Sequence, residues 1–137
     1  MTSDVSGPSD VVHRLVADAI NGGDLDLLDE LCVEPLAHKL RKAFAEFRAS
    51  FPDWRQEIVE LVTEGETVVA RFRCTGTQHG AWRGLPPSGR RMRIDEVYFF
   101  RITDGRIRSL WGLEDNWTRM RQLGGVAGDM GELGSLS

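Results

Sequence analysis

Apolar residues recur at helical spacing in the first third of the chain and alternate along most of the rest. Val11, Val12, Leu15, Val16, Ala19 and Ile20 share one side of a helix, with Asp10 where its N-cap belongs. Asn21-Gly22-Gly23 supplies the stop. Asp24 starts a second, short helix with Leu25, Leu28 and Leu31 on one side. Pro35 opens a third, at the first-turn position that proline tolerates. Its stripe is Leu36, Leu40, Phe44, Phe47 and Phe51, and Pro52 ends it.

The period then changes to two. Residues 54–63, 67–77, 90–103 and 106–114 read as strands, joined by a tight turn at Glu64-Gly65-Glu66, a Gly/Pro-rich loop, and an Asp104-Gly105 hairpin. Three helices followed by an antiparallel meander predict an α+β domain, a curved sheet with helices over one face. The folded part is expected to span residues 10–124, with 1–9 a disordered N-terminus and 125–137 a flexible Gly-rich tail.

Composition narrows the partners. Seventeen Lys and Arg against 21 Asp and Glu give a net charge of −4, which predicts binding to neither nucleic acid nor an anionic membrane. No apolar run approaches the roughly 18 residues of a membrane span, and MTSDVSGPSD does not read as a signal peptide. Cys32 and Cys74 lack CxxC spacing and read as reduced, buried hydrophobes of a cytoplasmic protein. The three histidines have no metal-ligand spacing, and no P-loop, dinucleotide fingerprint, HExxH or GxSxG is present.

The candidate chemistry lies in carboxylates on the last two strands. Strict alternation puts Met92, Ile94, Glu96, Tyr98, Phe100 and Ile102 on one face, so Glu96 enters an otherwise apolar interior. Alternation through the last strand turns Ile107, Ser109, Trp111, Leu113 and Asp115 inward and Glu114 outward with Arg106, Arg108, Leu110 and Gly112. Asp115 beside Trp111 and Leu113 is then desolvated and suited to proton transfer. The same aspartate also stands where an N-cap belongs, before Asn116-Trp117-Thr118, so cap and acid/base group are both open.

Several segments resemble the SnoaL-like polyketide cyclase family, also called ester cyclases, of the NTF2-like superfamily. They are Pro52-Asp53-Trp54, TGTQHGAWRGLPPSGRR at 75–91, DGRI at 104–107 and WGLEDNWTRMRQLG at 111–124. The resemblance implies an α+β cone around a pocket, a small-molecule substrate, no metal, no organic cofactor, and intramolecular aldol condensation. It places the acid/base aspartate at Asp115, with Glu96 and His38 as further catalytic candidates. Trp111, Tyr98, Phe72, Trp82 and His79 are candidates to line the pocket. Relatives read G-T-H-x-G where this chain has Gly76-Thr77-Gln78-His79-Gly80, so its histidine falls one place later.

Alternatives on the same fold are a cofactor-free hydroxylase, an epoxide hydrolase drawing on Asp95, Arg93 and Asp115, and a non-catalytic binding module. Val97 and Phe99 on the outer face predict a homodimer that covers them.

Overall fold

A computed structural model describes residues 7–125. Helix α1 (Pro8–Arg14) begins two residues before Asp10, with Gly7 as its cap and Pro8 at a first-turn position. It continues into a π-helical segment, Leu15–Ile20, in which the Asn21 N–H reaches back five residues to the Val16 carbonyl. The six apolar residues expected on its inner side are all buried. A short 3-10 turn, Leu25–Leu27, leads to α2 (Leu28–Leu31), and α3 follows (Leu36–Ser50). Of the expected terminal segments, residues 7–9 enter α1 and its cap, whereas 1–6 and 126–137 lie outside the described residues.

The sheet comprises β1 (Arg55–Glu64), β2 (Thr67–Thr77), β3 (Arg91–Thr103) and β4 (Arg106–Glu114), antiparallel and in sequence order. It is a curved, open sheet with the helices over its concave face, the expected α+β cone. The core between these layers runs from Val12 and Leu28 to Phe72, Phe100 and Ile107. Helix α4 (Asn116–Gln122) returns across the end of β3. There the Gln122 amide accepts from the Arg93 N–H at 2.7 Å and donates to the Arg93 carbonyl at 3.0 Å. No helix among the described residues is long and apolar enough to cross a membrane.

Two β-bulges break the alternation. On β1, pairing with β2 skips Val59, and on β4, pairing with β3 skips Arg108. Each bulge puts two consecutive residues outside and reverses the phase of the rest of its strand. Arg108 and Ser109 are both exposed, and after them Leu110, Gly112 and Glu114 turn inward. The expected orientation of the β4 end is therefore inverted. Trp111 is 61% and Leu113 66% exposed, on the outer face, and Asp115 is exposed as well.

Candidate active site

The helices do not fill the concave face, and a cavity of about 200 Å³ remains. Its helical wall is apolar, built from Leu15 and Ile20 and from Leu40, Ala43, Phe44 and Phe47 of α3. Its sheet wall is mixed: Phe72 and Trp54 adjoin Gln56, Glu96, Tyr98 and Glu114. An apolar wall thus faces a small polar edge, the general pattern of a small-molecule site.

Each polar group arrives for a local reason. Strand parity carries Glu96 and Tyr98 inward from β3, as read from the sequence. The Arg108 bulge brings Glu114 in from β4. Gly112 lies opposite Tyr98, and a Cβ there would sit 2.4 Å from the Tyr98 ring. The missing side chain lets the ring lie across the edge strand, where its hydroxyl donates to Glu114. Gln56 is fixed through its backbone: Asn21, at the end of the first helix, donates to its carbonyl and accepts from its N–H, both at 2.8 Å.

The carboxyls converge on Arg119 of α4, which is only 1% exposed. Its guanidinium donates to Glu114 at 2.9 Å and to Glu96 at 3.2 Å. Glu96 also accepts from the Gln56 amide at 2.7 Å. Burial pushes the Glu96 carboxyl up and the Glu114 charge pushes it further, while Arg119 and Gln56 pull back. The balance is about 7, against an ordinary 4.5. Burial and the neighbouring Glu114 also raise the Tyr98 hydroxyl, so it stays protonated. Burial works against the Arg119 charge, but bonding and attraction from Glu114 more than offset it.

The SnoaL-like polyketide cyclase family matches residues 10–123. This chain belongs to that family. The nogalonic acid methyl ester cyclase of Streptomyces nogalater is 35% identical over 104 residues, covering 72% of this chain and 78% of that protein. Among solved structures, TsrD of Streptomyces laurentii superimposes with a TM-score of 0.81 at 27% identity, covering 91% of this chain and all of that one. IdmH of Streptomyces antibioticus gives 0.77 at 27% identity, over 87% and 99% of the two chains.

Within this SnoaL-like domain the sequence-derived candidates separate. Glu96, Tyr98 and Phe72 meet in the cavity. Asp115 does not line it: its carboxylate caps α4, accepting from the Thr118 N–H at 3.1 Å and the Thr118 hydroxyl at 2.6 Å. Trp111 packs edge-on against Phe99 outside, at 5.9 Å between ring centroids. Trp82 is buried behind Arg119 rather than in the cavity. His38 on α3 and His79 are exposed. One place earlier, Gln78 points in, fully buried, and ties down the 78–89 loop through Ser88, Gly80 and Leu85. Asp95 faces outward and pairs with Arg71 at 2.7 Å, so Asp95 and Asp115 do not form a cavity pair.

Gln56 and Arg119 carry no role in the sequence reading, and Glu114, read there as facing outward, in fact lines the cavity. For Arg119 a signal existed: it lies four residues before the buried Leu123 on the inner stripe of a helix, where an arginine is out of place unless paired. Among the described residues no group of three or more His, Cys, Asp or Glu is placed to hold a metal.

Proposed function

We propose that this SnoaL-like protein closes a ring in an oxygenated, polyketide-type ester by intramolecular aldol addition, with Glu96 moving the proton. The observation that carries this reading is a buried carboxyl poised at about 7 on the polar edge of an apolar cavity. The name of the Streptomyces nogalater relative supports an ester as substrate. A cavity of about 200 Å³ encloses the reacting end of such a molecule rather than a whole polycycle.

In the reaction, an ionised Glu96 oxygen takes the acidic proton from a carbon flanked by two carbonyls. The electron pair left on that carbon attacks a carbonyl of the same molecule, and a carbon–carbon bond forms. The new alkoxide takes the proton back from Glu96. Nothing is added or lost, so product and substrate are isomers. The Tyr98 hydroxyl is positioned to stabilise the developing oxyanion by turning from Glu114, and the aromatic wall holds the chain folded. The carboxyl chemistry asks for no cofactor.

Nogalonic acid methyl ester tests this. Wild-type protein is expected to give an isomeric, ring-closed product much faster than buffer alone, and Glu96→Gln to lose that acceleration. Turnover by Glu96→Gln at the wild-type rate, with loss in Asp115→Asn, would return the proton transfer to the capping aspartate.

A second reading has its own support. Glu96, Arg119 and Glu114 form a carboxyl–arginine–carboxyl set, the type of arrangement that hydrates an epoxide in a cone of this kind. A product heavier than its substrate by one water would favour it over ring closure.

For the quaternary state, we propose that a second copy covers the outer face, where Val97, Phe99, Trp111 and Leu113 leave an apolar patch. Light scattering is expected to show a dimer for wild type and a monomer for Trp111→Asp. A wild-type monomer at micromolar concentration would rule this out.

A further inference from the structure

Arg119 joins both cavity carboxyls without lining the cavity itself. One terminal guanidinium nitrogen serves Glu96 and the other terminal nitrogen serves Glu114 and the Asn116 side chain. The Phe47 and Trp82 rings also pack around the guanidinium, each centroid 5.3 Å from its central carbon. A planar fork held by aromatic rings has little freedom to turn, and a lysine cannot span two carboxyls in this way. Phe47 is at the same time part of the cavity wall, so one of the two rings that hold the guanidinium also faces the cavity.

We infer that Arg119 is a positioning residue. Held by Phe47 and Trp82, its guanidinium fixes the orientation of Glu96 and Glu114 and sets how readily Glu96 exchanges a proton. This rests on Glu96 being the proton carrier. The titratable groups that face the cluster are few. Glu96 and Tyr98 come from β3, Glu114 from β4 and Cys74 from β2, while α3 and the first helix present apolar side chains to the cavity. The Cys74 thiol, pushed up to about 12 by burial, stays protonated throughout the working range. Tyr98 stays protonated as well, which leaves the two glutamates as the groups that Arg119 can divide.

The test measures the Glu96 carboxyl carbon by 13C NMR against pH in substrate-free protein, alongside the pH profile of kcat/KM for nogalonic acid methyl ester. Arg119→Met is expected to move the Glu96 midpoint up by about 1–3 units, the usual effect of losing an opposite charge at this range. The rising limb of kcat/KM should move with it. Arg119→Lys keeps a charge but not the fork: a smaller shift is expected, with kcat reduced about tenfold or more and KM little changed. If Arg119→Met does not fold, Arg119→Lys and Trp82→Leu carry the test, the latter removing one flanking ring while leaving every hydrogen bond possible. A Glu96 midpoint and a pH limb that stay at their wild-type positions in the folded variants would overturn the inference. Because the titration needs no turnover, an active Glu96→Gln would remove the catalytic reading alone. An unmoved midpoint beside an inactive Glu96→Gln would remove only the role of Arg119.

Discussion

Two pairs of adjacent carboxylates stand at the same level of the sheet: Asp95-Glu96 on β3 and Glu114-Asp115 at the end of β4. In each pair one member faces the cavity and the other faces water. Glu96 is 4% exposed and bound to an amide and a buried arginine, while Asp95 lies outside among Arg71 and Arg73. Arg71 and Arg73 hold Asp95 below its ordinary range, with the Arg71 hydrogen bond the largest cause, whereas burial lifts Glu96 to about 7. Chemically similar neighbours thus acquire opposite properties from one step in strand phase.

The largest expected contrast is in rate. Glu96→Gln should lower kcat/KM by about 10²–10⁴-fold, the usual worth of a general acid–base group, while Asp95→Asn leaves it within about twofold. Equal losses in both variants, at equal folded fraction, would erase the distinction between the faces.

The next contrast is in pH dependence. Glu96 binds its proton more tightly folded (about 7) than unfolded (about 4.5), so its stabilising contribution is complete below pH 4.5 and is lost as pH rises through 7. The difference corresponds to roughly 3 kcal/mol. Urea unfolding of wild type between pH 5 and 9 should show this decline, and Glu96→Gln should flatten it. Catalysis by the ionised form runs the other way, so kcat/KM should rise through the same pH. A rate that falls across pH 7 would mean that Glu96 works as an acid.

Gly112→Ala probes how the inner pair is built. A Cβ would meet the Tyr98 ring at 2.4 Å and the Val97 carbonyl at 2.6 Å, so the ring must leave β4. Loss of the Tyr98–Glu114 contact and local overpacking should cost about 1–3 kcal/mol and about tenfold in rate. An unfolding midpoint and a rate equal to wild type would show that the ring has room elsewhere.

The smallest effect expected is at the outer member of the second pair. Asp115→Ala removes the cap of α4 and should cost about 1 kcal/mol, with turnover retained in the folded fraction. A loss of rate as large as that of Glu96→Gln, without loss of stability, would make Asp115 chemical after all.

Periodicity made most of the frame legible. The buried stripe of the first helix, the strand β2 and the hairpin at Asp104-Gly105 follow from local spacing and turn chemistry. The inward direction of Glu96 followed as well, because β3 keeps its alternation from Met92 to Phe100. Asp115 was misplaced because a bulge has no strong local signature. Arg106 and Arg108 read as an ordinary outer face, and Ser109 as a small inward residue, until pairing with β3 shows one residue too many. Gln56 acquires meaning only when strands 40 residues apart in sequence meet at Glu96, since an isolated polar side chain looks the same whether it faces water or a buried partner.

The bulge at Arg108 also has a consequence for how such a domain changes over generations. Deleting that one residue would close the bulge and leave Ser109 to Glu114 in their present pairing, with Glu114 still opposite Glu96. Losing one residue between Leu110 and Leu113 with the bulge kept would instead exchange the two sides of the strand end and bring Asp115 inward in place of Glu114, one acid for another slightly shorter one beside Arg119. A protein with two acids side by side at this point is buffered against small insertions and deletions that would strip the charge from a strand carrying only one.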